Sequence, residues 1–105
     1  MSHVEVKSGI CGFVTHIDAA LLDDGQTVRL TIQSDCPDVR KLAEQLPEVN
    51  AFREISYRRE GPQTLRLAPQ CLPHPACSVP AAIIKAVEVA ANLALPKDAV
   101  IKVSK

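Results

Sequence analysis

Proline fixes its own φ, lacks a backbone N–H and pushes the residue before it out of the helical region, so proline positions divide a chain before any propensity is weighed. This chain of 105 residues has eight prolines. Pro37 fits the first turn of a helix, and Val39, Leu42, Ala43 and Leu46 make an i, i+3, i+4, i+7 stripe that Pro47 closes. Pro80 opens a second helical pattern running to about Ala94. It is apolar over most of its circumference, through residues such as Ile83, Ile84, Val87 and Leu93, which marks a largely buried helix that Pro96 ends. Between these two patterns, Pro69, Pro73, Pro75 and Pro80 predict an extended, stiff loop over residues 69 to 80.

The first third of the chain has the two-residue period of strands. Val4 and Val6 alternate with Glu5 and Lys7, and Phe13 to Ile17 are rich in β-branched and aromatic side chains. After a turn signal at Asp24-Gly25, Val28, Leu30 and Ile32 alternate with Arg29, Thr31 and Gln33. A three-stranded meander follows. Val49 and Phe52 fit a short helical turn, Leu65 and Leu67 alternate with Thr64 and Arg66 as in a short strand, and Val100 to Val103 predict a final strand. The expected fold is a two-layer α+β domain over residues 1–105. A mainly antiparallel sheet, the meander plus the C-terminal strand, carries the helices near residues 37–46 and 80–94 on one face.

Twelve basic residues balance twelve acidic ones, so no global field draws the chain to nucleic acid or to an anionic membrane. Arg53, Arg58, Arg59 and Arg66 read as a solvated basic face, because only three aromatic residues in the whole chain are available for stacking on bases. His3 reads as a residue of a fraying terminus, His16 as a satisfied or solvent-facing strand residue and Asp23 and Asp24 as turn formers. Glycine-rich phosphate loops and G-x-S-x-G are absent. With no basic start followed by an apolar run and no 18-residue apolar stretch, the expectation is a cytoplasmic protein whose cysteines stay reduced.

Those cysteines carry the chemistry. Cys36 and Cys77 stand just ahead of helix-opening prolines, in Ser34-Asp35-Cys36-Pro37 and Cys77-Ser78-Val79-Pro80. A helix start offers free N–H groups and the positive end of the helix dipole, which favour a thiolate. Antiparallel geometry puts the turn holding Cys11 at the sheet end where the third strand leaves for Cys36. Cys11, Cys36, Cys71, His74 and Cys77 therefore form a candidate ligand set for a zinc ion or an iron–sulfur cluster. The alternative is sulfur transfer or thiol redox with a donor or acceptor protein, Cys77 being the nucleophile and Cys36 or Cys71 its resolving partner. A third reading is a ligand-free interaction module. Whether the chain is an enzyme stays open at this stage.

Two resemblances go with these residues. Cys77-Ser78-Val79-Pro80, leading into a buried helix to about residue 91, resembles the Cys-Pro-x-Pro helix start of small sulfur-carrier proteins, with Ser78 where those proteins have proline. That likeness implies a persulfide-bearing Cys77. Over nearly its whole length the chain also resembles small uncharacterised prokaryotic proteins with segments like Ser8-Gly9-Ile10-Cys11-Gly12-Phe13, Ser34-Asp35-Cys36-Pro37, Cys77-Ser78-Val79-Pro80 and Ala94-Leu95-Pro96. It implies no activity.

Overall fold

The computed structural model describes residues 1–105. Strands β1 (Ser2–Lys7), β2 (Val14–Leu21) and β3 (Thr27–Ser34) form the expected antiparallel meander, and β4 (Glu48–Asn50) adds to β3. The sheet order is β1-β2-β3-β4. Helices α1 (Pro37–Glu44), α2 (Ala51–Glu54), α3 (Gln63–Cys71) and α4 (Val79–Ala90) complete the α+β fold. None of them is long and apolar enough to cross a membrane.

The register explains why the sheet is one-sided. Val4 faces Ile17, Val6 faces Thr15, Ile17 faces Ile32, Ala19 faces Leu30 and Val28 faces Val49, so most of the apolar positions fall on one face. On that face α4 packs across β1 and β2 while α1 packs on β3. Ile17, Val28, Leu42, Leu46, Ile83 and Val87 are fully buried between the layers. The opposite face carries His3, Glu5, His16, Asp18 and Arg29. There His3 lies in β1 instead of a frayed end. Its Nδ1 is 2.8 Å from Asp18 Oδ1, and its ring stacks on His16 with centroids 5.5 Å apart.

Several local expectations are corrected. The fourth strand is Glu48–Asn50 and not Val100–Val103, because Pro47 stops α1 and its carbonyl accepts the Leu30 N–H at 2.9 Å, which lays the next residues along β3. Leu95 to Lys105 form no element and are exposed throughout. Val49 and Phe52 do not share a helical turn. Val49 lies in β4, and Asn50 then caps α2 by accepting the N–H groups of Phe52 and Arg53. Leu65 and Leu67 are helical. The Glu54 carboxylate accepts the Gln63 and Thr64 N–H groups and the Thr64 hydroxyl, fixing the start of α3. Pro69 lies inside α3, so the stiff loop shrinks to the segment between Cys71 and Val79. Finally, α4 stops four residues ahead of the expected end. Asn92 takes a left-handed φ of 60°, and the Leu93 N–H bonds back to the Glu88 carbonyl.

Candidate functional site

The β1–β2 turn and the end of β3 meet at one end of the sheet, since Lys7 faces Val14 and Thr15 faces Ser34. Cys11 closes the single 3₁₀ turn Gly9–Cys11 there and is exposed. Cys36 is the N-cap of α1, half-buried against the core. Ser34 Oγ fixes the approach to it. That oxygen accepts the Cys36 N–H at 3.1 Å and the buried Thr15 hydroxyl at 2.8 Å. Arg40 ties the same bend from one turn into the helix, donating to the Ser34 carbonyl at 2.7 Å, with its guanidinium 4.0 Å from the Asp35 carboxylate.

Cys77 lies just ahead of α4. Ser2 Oγ donates to the Ala86 carbonyl at 2.7 Å, and Met1 lines a surface recess with Val89 and Leu93. The second half of α4 therefore lies over the start of β1. Cys77 donates its N–H to the His74 carbonyl at 3.2 Å, and its side chain is half-buried against the core. It is not a cap, because Ser78 takes that position and Pro80 is the second helical residue. Only Cys36 has the helix-start placement that both cysteines were expected to share.

The other two ligand candidates stand apart. Cys71, 8 % exposed, ends α3 and accepts the Gln45 side-chain N–H at 3.4 Å. It thus meets the C-terminal end of α1, about 13 Å of helical rise from Cys36. Two thiolates sharing a zinc ion sit only about 4 Å apart. His74 is exposed. No group of three or more His, Cys, Asp or Glu side chains is placed to hold a metal ion, so Cys11, Cys36, Cys71, His74 and Cys77 are not assembled as a ligand set. An open recess of about 260 Å³ lies between the Ile55–Pro62 segment and α4, lined in part by Tyr57, Leu65, Ile84 and Lys85, and no cysteine borders it.

Ser34, Thr15 and Arg40 are absent from the candidates read off the sequence. Ser34 had a signal there, since a serine two residues ahead of a helix cap closes a side-chain turn on the cap N–H. Thr15 and Arg40 had none, because they meet Ser34 across a strand pair and from within the helix.

No curated protein and no solved structure matches the chain. A family model described as a family of unknown function (DUF6951) matches residues 2–103, from the first strand into the segment beyond α4, and the chain belongs to that family.

Proposed function

We propose that the chain works by thiol chemistry, as a sulfur-transfer or thiol-exchange protein in which Cys36 is the attacking sulfur and Cys77 the second thiol. The observation that carries this reading is the cap of α1. Cys36 has the extended backbone of an N-cap, φ −76° and ψ 119°, with Pro37 next and no side-chain hydrogen bond closing the helix start. The N–H groups of the first turn are then the donors that a sulfur anion formed at Cys36 meets.

The steps balance without an external oxidant. A Cys36 thiolate attacks one sulfur of a partner's disulfide, forming a mixed disulfide and expelling the other sulfur as thiolate. With a protein persulfide it takes the outer sulfur, and the donor's own cysteine leaves as thiolate. In both cases one S–S bond forms as another breaks. From the persulfide, the Cys77 thiolate then takes the outer sulfur and Cys36 leaves as thiolate, which gives the persulfide-bearing Cys77 that the likeness to sulfur carriers implies; from the mixed disulfide, the Cys77 thiolate attacks the Cys36 sulfur and the partner's remaining thiolate leaves.

Timed alkylation at neutral pH, with each cysteine followed by mass spectrometry, separates this chemistry from simple exposure. Cys36 is expected to react ahead of the more exposed Cys11, and Cys36→Ser removes the fast phase while leaving the Cys11 rate unchanged. A ranking that follows exposure, with Cys11 first, rules the proposal out.

A further inference from the structure

We propose that the C-terminal segment Asp98–Val103 is a strand that pairs with β1 of a second copy of this chain, so that two copies exchange tails. Within one chain this segment has no partner. Val100, Ile101 and Val103 are 74 %, 78 % and 89 % exposed, and no hydrogen bond of the backbone involves a residue beyond Ala94. Such a β-branched segment, with unpaired N–H and C=O groups, is suited to adding onto a sheet edge. The family match extends to residue 103, so the segment belongs to the shared domain.

β1 supplies the edge. It pairs on one side only, with β2, and contains no proline. An antiparallel register matches both faces. In antiparallel register with Asp98 opposite Lys7, Ala99 meets Val6, Ile101 meets the half-buried Val4 and Val103 meets Ser2, all on the face beneath α4. On the open face Asp98 pairs with Lys7 and Lys102 lies diagonal to Glu5. Parallel pairing with Asp98 opposite His3 sets Lys102 opposite Lys7, a like-charge contact.

The antiparallel partner has to be another copy. Leu93 to Pro96 share a recess with Met1, so the tail leaves beside the start of β1. Lys7 lies about 17 Å further along the strand, whereas the two residues from Pro96 to Asp98 span about 7 Å. A second copy related by two-fold symmetry presents its β1 in the required direction, and the exchange is mutual.

Sedimentation over a range of concentrations, under reducing conditions so that no Cys11 disulfide contributes, tests this. The full chain is expected to form a dimer, and a chain ending at Pro96 to remain monomeric with unchanged far-UV circular dichroism. Because residues 97–105 form no element and are exposed, the shortened chain keeps its fold. Lys7→Glu is expected to raise the dimer dissociation constant about five- to thirtyfold, and adding Asp98→Lys to restore it, since the dimer holds two such pairs. A full chain that stays monomeric throughout, or a dimer that survives removal of residues 97–105, overturns the proposal.

Discussion

Asp24 shows how far a single residue's environment could be read from its neighbours. An aspartate ahead of Gly25 signals a turn, and the carboxylate accepts the Thr27 hydroxyl, the Thr27 N–H and the Gln26 N–H. Those bonds, the Thr27 hydroxyl first, hold its carboxyl below the ordinary value of 3.8. A depressed folded pKa means that stability from these bonds is fully present above that ordinary value and is lost as the pH falls through the folded one. Asp24→Asn is therefore expected to be less stable than the native chain at neutral pH. The gap should close as the pH drops below about 4, measured by urea unfolding across the acid range. A gap that is independent of pH shows that the turn depends on shape and not on charge. Cys36 was legible for a similar reason, because Pro37 follows it directly and fixes which residue is the cap. At Cys77 two residues separate the thiol from Pro80, and Ser78 took the cap instead.

At the scale of elements, strand alternation and the proline starts of α1 and α4 were readable because each signal is local. α3 was not. Leu65 and Leu67 fit a strand period, but the helix is fixed by Glu54 from outside its own sequence, with the carboxylate oxygens 2.6 Å from Gln63 N and 2.8 Å from Thr64 Oγ1. The residues that α3 buries, Thr64 and Cys71 with Leu67 partly covered, have helical spacing that is masked by a polar side chain at Thr64 and by Pro69. Glu54 itself is 1 % exposed, and its hydrogen-bond partners all lie at the start of α3. Glu54→Ala leaves the part-buried Gln63 N–H and the buried Thr64 N–H and hydroxyl without an acceptor. The expected loss is about 2–4 kcal/mol, with Glu54→Gln losing roughly half of it, by equilibrium denaturation. If Glu54→Ala unfolds within about 0.5 kcal/mol of the native chain, water satisfies the helix start equally well and the cap is not what holds α3.

For the whole molecule, the one-sided sheet decides which thiols solvent can reach. The apolar half of the alternation needs a cover, α1 and α4 supply it, and Cys71 is enclosed where α3 packs against both. Cys11 sits on the outer turn and Cys36 and Cys77 at the border of the same core. The sequence named all four, but it could not sort them by depth, because depth follows from which faces meet once strands distant in the chain have paired. This sorting predicts that Cys71 reacts only through opening of the core. With a stability of about 5 kcal/mol, its alkylation at neutral pH should run roughly 10³- to 10⁴-fold slower than that of Cys11. Small additions of urea should speed Cys71 in step with the fall in global stability while leaving Cys11 unchanged, as followed by mass spectrometry of each thiol. A Cys71 rate that ignores urea would mean that α3 detaches locally from α1 and α4 and exposes this thiol without unfolding the rest.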